Sequence, residues 1–233
     1  QEELAFCRDL GFQLFQGYFL ERPQPVVGKK ISPRIDLVMN IYSALQRDTV
    51  TPNELSEYIS QDPQLSFQLL RIINSAAFAR QRTIQSLREA VMLLGLQQLR
   101  TWIMVIALAN DASKPPELMQ TLLARARLCE SIMRKTSAAR ADAAFLMGIF
   151  SGLDALLDIP LQSLMSRLPL TEDVQAALLR YEGDLGVVLK NAIAFERANW
   201  QAFLPHKLSV EDWQQHYFDA LKWANEISAP LRT

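Results

Sequence analysis

From Ser32 onward the apolar positions of this chain recur three and four residues apart, the period of a helix buried along one side. In "SPRIDLVMNIYSALQ", Ile35, Val38, Ile41, Tyr42 and Leu45 share a stripe, with Ser32 as N-cap and Pro33 in the first turn. "TPNELSEYI" is a capping box of Thr51 and Glu54, and "DPQLSFQLLRIINSAAF" starts on Asp62 and Pro63 and turns Leu65, Leu69, Ile72, Ile73 and Ala76 inward. "SLREAVMLLG" repeats the box with Ser86 and Glu89 and predicts a left-handed cap at Gly95. Leu96 to Asn110 is apolar nearly all round, which predicts a central helix.

Pro115 and Pro116 break the chain before a long helix from about Glu117 to Thr136, studded with Arg125, Arg127, Arg134 and Lys135. "AAFLMGIFSGLDALLD", residues 143–158, predicts a buried helix that stops before Pro160. "TEDVQAALLRYEG" and "DLGVVLKNAIAFERANW" follow, with Gly183 as the stop between them. The last helix has Ser209 three residues before Asp212 and a stripe of Trp213, Tyr217, Leu221 and Ala224. With no alternating strand pattern after Ser32, the fold class is all-α, a multi-helix bundle.

The first 31 residues differ. "GFQLFQGYFLERPQP" has no cap, is rich in aromatic residues and leaves through prolines, the pattern of one β-strand and an exit. A lone strand cannot satisfy its own backbone groups, so it is expected to be a remnant of a sheet lying upstream of Gln1. Gly28, Lys29 and Lys30 lack the strand and helix frame of a phosphate loop and read as linker.

Composition narrows the class. An apolar content of 49% suits a packed core, and a net charge of −1 argues against holding nucleic acid by bulk electrostatics. Cys7 and Cys129 belong to no metal-binding or disulfide spacing. No apolar run approaches the roughly 18 residues of a membrane span, and no leader is visible. The expected location is cytoplasmic.

Residues 55–100, "LSEYISQDPQLSFQLLRIINSAAFARQRTIQSLREAVMLLGLQQLR", resemble the HDOD family in three motifs: an I-x-x-D-P-x-L turn, a helix ending N-S-A-x-[FY], and I-x-S-[IL]-x-x-A-[IV]-x-x-L-G. The signature residues are Asp62, Pro63, Asn74, Ser75 and Gly95, each with a purely structural reading as a cap or turn residue. "CRDLGFQLFQGYFLERP", Cys7 to Pro23, resembles the C-terminal strand and exit of EAL domains, barrels that hydrolyse cyclic di-GMP. That resemblance places Gln16 and Gly17 in the barrel's "QGY" core, with Gln16 lining the nucleotide site. It divides the chain into an EAL remnant with linker, 1–31, and an HDOD domain with a C-terminal helical extension, 32–233.

HDOD domains are relatives of HD-type metal phosphohydrolases, whose ligands include an adjacent His-Asp pair in a sequence like A-F-L-x-G-L-L-H-D-I-G. The resemblance sets Ser151 and Gly152 of "AFLMGIFSGLDAL" at that pair, and Arg125 at the earlier His position. Glycine has no donor atom, a serine hydroxyl is a poor ligand, and a guanidinium repels a cation. His206 and His216 lie ten residues apart and later in the chain, and Asp154 and Asp158 read as a solvated stripe. No catalytic residue, metal or cofactor is therefore expected, and the stretch is read as not itself an enzyme.

The expected role is a signalling module of a cyclic di-GMP-related protein, acting by protein contact or on an attached EAL phosphodiesterase domain. Alternatives are a nucleotide- or nucleic-acid-binding domain, resting on a positive cluster of Arg71, Arg80, Arg82 and Arg88, and a divergent metal-dependent phosphohydrolase. Expected partners are the upstream EAL domain, a further protein, or a second copy docking through Trp213, Tyr217 and Trp223; neither membrane nor nucleic acid is expected.

Overall fold

The computed structural model describes residues 51, 54, 59–60, 63–75, 78, 84, 86–109, 114–165, 168, 170–205 and 207–231. The strand expected in residues 1–31 and the helix opening at Ser32 lie outside them. The fold is all-α. Along the chain run α1 (Pro63–Ile73), α2 (Leu87–Ala109), α3 (Pro116–Thr136), a 3-10 turn (Ala138–Arg140), α4 (Ala141–Phe150), α5 (Leu153–Leu157), α6 (Leu161–Met165), α7 (Glu172–Arg180), α8 (Gly183–Glu196) and α9 (Val210–Leu231).

The caps form as the sequence predicts. Thr51 N–H donates to Glu54 Oε2 at 2.8 Å while Glu54 N–H donates to Thr51 Oγ at 3.3 Å. Ser209 and Asp212 make the same reciprocal pair at 3.1 Å in both directions, opening α9. At Ser86 the side-chain half is present, with Glu89 N–H donating to the serine oxygen at 3.1 Å. Each box satisfies amides that a helix start leaves without partners.

Four expectations are corrected. Gly95 breaks the helix at a positive φ, as expected, but its φ 74, ψ 162 is a glycine-only conformation outside the left-handed helical region, and two helical segments meet there as a kink within α2. The second half of α2 is buried as expected, and α3 is the helix that lies against α4, α8 and α9 among the described elements. Ser151 and Gly152 divide the stretch 143–158 into α4 and α5. Asp158 caps α5 at φ 55 and pairs with Lys114, so it forms no stripe with Asp154, which accepts from the Ala155 N–H. Finally, α7 stops at Tyr181, itself left-handed at φ 57, two residues before Gly183.

The core runs through the described helices as one cluster that includes Ile72, Ile103, Leu122, Phe150, Leu189 and Trp213. The α3–α4 contact owes its closeness to small residues. A Cβ at Gly148 would lie 2.4 Å from the Ala126 Cα, backbone that cannot move aside, and one at Gly152 would lie 2.3 Å from a Leu122 methyl. Two glycines one turn apart thus bring α4 onto α3 at the residues flanking Arg125.

Candidate functional site

Helix α3 carries alternating chemistry on its two sides. On one, the chain puts an arginine in the middle of an apolar surface, between Leu122, Ala126 and Cys129, all buried. A charge there requires a partner, and α8 supplies it from 71 residues further on. Arg125 Nε donates to Glu196 Oε2 at 2.8 Å and Nη2 to Oε1 at 2.6 Å, the two-pronged geometry that suits a planar guanidinium. Arg125 Nη1 donates to Ser151 Oγ at 3.0 Å, and that hydroxyl donates onward to the Gly148 carbonyl at 2.7 Å.

The side chains are 5% and 11% exposed, so this is a buried ion pair tied to the α4–α5 junction. Cys129, one turn along α3, lies in the same interior. Burial pushes its thiol up to about 12, against the nearby Arg125 charge, which favours the thiolate, while Glu196 adds to the rise.

These residues do not fit a divalent metal. Ser151 has given its hydroxyl to Arg125 and Gly148, Gly152 has no donor atom, and the Arg125 guanidinium, itself a cation, is bound to the Glu196 carboxylate. Among the described residues no group of three or more His, Cys, Asp or Glu could hold an ion.

The other side of α3 is open. Arg127 Nη1 and Arg134 Nη2 donate to the two oxygens of Glu130, at 2.7 and 2.5 Å. This triad faces a cavity of about 250 Å³ between α2, α3, α4 and α9, walled by Trp102, Phe145, Trp223 and Phe78. The rings form one cluster: Trp102 lies 5.5 Å from Phe78 and 5.9 Å from Trp223, and Phe145 meets Trp223 edge-on at 5.8 Å. The Arg127 guanidinium sits over the Trp223 ring at 5.3 Å.

Of the signature residues, Pro63 opens α1 and Asp62 lies outside the described residues. Asn74 works as a clasp. Its amide nitrogen donates to the Ile84 carbonyl at 2.9 Å and its oxygen accepts from the Ile84 N–H at 2.7 Å, joining two positions ten residues apart. Ser75 Oγ donates to the Ile72 carbonyl at 2.7 Å. Arg71 lies over the Phe67 ring and Arg88 is exposed early in α2, whereas Arg80 and Arg82, with Gln16 and Gly17, lie outside the described residues. His206 is outside as well; His216 is half-buried on α9. Trp213, expected on a docking face, is fully buried, and Tyr217 and Trp223 are half-buried in ring clusters.

Sequence reasoning missed Glu196 and the cavity. A buried-face arginine on α3 is the signal for the first, since it demands an acid somewhere distant. For the second, Trp102 reads as core and Trp223 as core or docking face, and nothing in the sequence brings them together.

A helical bundle built on this arrangement defines a class, and the HDOD domain model matches residues 32–161. The chain belongs to the HDOD family. Cyclic di-GMP phosphodiesterase CdgJ of Vibrio cholerae is 34% identical over 98% of this chain and 54% of its own length. The uncharacterized protein YuxH of Bacillus subtilis is 31% identical over 93% of this chain and 54% of its own. The chain therefore spans about half the length of the curated relatives it matches.

Solved structures share the fold. A Shewanella amazonensis protein with a provisional phosphohydrolase name superposes with a TM-score of 0.63 at 15% identity, covering 84% of this chain and 93% of that one. An HDOD domain protein of unknown function from Geobacter sulfurreducens gives 0.57 at 17%, covering 87% and 88%.

The reading of this stretch as not an enzyme is corrected: CdgJ, similar along almost the whole chain, is named a phosphodiesterase. The misfit of Ser151, Gly152 and Arg125 to a metal speaks only for one site, and carries no weight for the protein of which that site is a part. Among the described residues, no helix is long and apolar enough to cross a membrane.

Proposed function

We propose that this chain is the regulatory helical half of a cyclic di-GMP phosphodiesterase, joined through residues 1–31 to an EAL barrel whose turnover it governs by direct contact. One observation carries the reading. The similarity to CdgJ extends over 98% of the chain, so it takes in most of the segment around Gln16 and Gly17 as well as the helices. The domain boundary then falls near Ser32, with the helices from there to residue 233 acting as one unit in the cytoplasm.

Surface chemistry supports contact as the means. Phe67 on α1 and Met92 and Leu93 on α2 are large apolar side chains left exposed, and apolar surface of this kind favours protein partners. Position supports it too, because these helices are the described elements nearest in sequence to the barrel segment.

The test replaces Phe67 and Met92 with Asp in the full-length protein and follows cyclic di-GMP hydrolysis. Altered kcat with unchanged helical circular dichroism is expected; kcat and KM equal to those of the parent protein would count against regulation through this surface.

A further inference from the structure

The cavity beside α3 combines features that a core has no need of. Three aromatic rings, Trp102, Phe145 and Trp223, border a space of about 250 Å³. That is just under the range of about 300–1,000 Å³ typical of small-molecule pockets, and it fits one planar ring system rather than a whole dinucleotide. The polar groups come from three helices: Gln97, Gln98 and Thr101 of α2 and Asp142 of α4 line the same space as Arg127, Glu130 and Arg134 of α3.

Glu130 is the distinctive member. Its side chain is 10% exposed, and although each oxygen accepts from one arginine, a carboxylate oxygen carries two lone pairs. Glu130 lines the cavity, and acceptor capacity remains on both of its oxygens. A ring edge with two neighbouring N–H donors matches them, and guanine has such an edge in N1–H and N2–H. Adenine offers an acceptor, N1, beside its amino group and would set a lone pair against the carboxylate. The arginines supply donors for the O6 and N7 acceptors of guanine, and aromatic rings and guanidinium planes are surfaces on which bases stack.

We propose that the cavity between α2, α3, α4 and α9 binds a guanine base, with Glu130 accepting from its N1–H and N2–H against the aromatic wall of Trp102, Phe145 and Trp223. The site stands on the cavity alone and does not depend on the regulatory role proposed above. A free mononucleotide and one end of a dinucleotide present the same base, so both belong in the test.

Tryptophan fluorescence of the 233-residue chain is titrated with GMP, AMP and cyclic di-GMP. Saturable quenching by GMP is expected, with AMP weaker by at least about tenfold, the scale of one two-pronged base contact. Glu130→Gln should weaken GMP by a similar factor and shrink the GMP-to-AMP ratio, while the exposed Arg134→Gln, which carries little folding risk, should weaken GMP with circular dichroism unchanged. Cyclic di-GMP binding as tightly as GMP assigns the dinucleotide as source, and weaker binding assigns the mononucleotide. Absence of saturable quenching by GMP and cyclic di-GMP, equal binding of AMP, or unchanged GMP affinity in both variants overturns the proposal. Guanine binding with no effect of the Phe67 and Met92 changes on hydrolysis would leave this site standing and remove the regulatory reading.

Discussion

The two sides of α3 use the same residue types to opposite ends. Arg125 and Glu196 meet in the interior at 5% and 11% exposure, hold each other by two hydrogen bonds, and hand the remaining contact to Ser151. Arg127 and Arg134, at 40% and 58%, hold Glu130 at the edge of an open space. In the interior the loss of water's solvation makes either charge intolerable alone, so the pair is a structural tie; at the edge water screens the two arginines, while Glu130, itself 10% exposed, is held by both and still lines the cavity. The same helix is thus closed where the HD relatives are expected to hold metal and open where rings line a cavity.

The sharpest way to break that contrast is to cut both sides. Arg125→Ala leaves Glu196 buried without its partner and is expected to lose about 3–5 kcal/mol in urea unfolding, whereas Arg134→Ala, at the exposed edge, loses no more than about 1 kcal/mol. Replacing both members of the buried pair, Arg125→Met with Glu196→Leu, should recover most of the loss, because no orphaned charge remains. Equal losses for Arg125→Ala and Arg134→Ala would erase the distinction.

A second variant tests how closely the closed side is packed. Gly148→Ala puts a methyl 2.4 Å from the Ala126 Cα, and the overpacking is expected to cost about 1–3 kcal/mol in the same assay. An unchanged midpoint would mean that α4 and α3 do not touch there.

Cys129 reports on the same interior without mutation. The thiol ionises at about 12 in the folded chain, above its ordinary range, mainly because burial disfavours the thiolate. It should resist thiol reagents at neutral pH until the protein unfolds. The sign follows: the raised value stabilises the fold fully below the unfolded thiol's pKa near 9, and that contribution fades as pH climbs towards 12. Fast labelling of native protein would contradict the burial.

The smallest effect lies at the surface, at the α9 cap. Hydrogen bonds from the Ser209 backbone, then its hydroxyl, hold the Asp212 carboxyl below the usual aspartate range. Its contribution is therefore present above the unfolded aspartate's pKa and lost as pH falls through the folded value. Ser209→Ala should flatten that part of the acid unfolding curve, and an identical curve would show that the cap does nothing.

How much of the molecule is legible in its sequence follows from the range of each interaction. The boxes at Thr51 and Ser209 close within three residues, so local spacing reveals them. Gly148 is visible as a small residue on an apolar face, though the break at Ser151 is not, since it depends on how α3 crosses. Glu196 is invisible because nothing local links it to Arg125, and α3 does not stand out because Arg125 looks like surface charge until its burial is known. Asn74 reads as a helix-end residue, but its clasp on Ile84 spans ten positions, beyond the reach of local spacing. The open cavity combines side chains from four helices, an arrangement that no periodicity encodes.

The most direct test of the regulatory account is cyclic di-GMP hydrolysis by the full-length protein compared with the same protein lacking residues 32–233. The account predicts that removing the helices changes kcat, KM or both while the remaining barrel stays folded. Identical rates over the whole range of substrate concentration would contradict it.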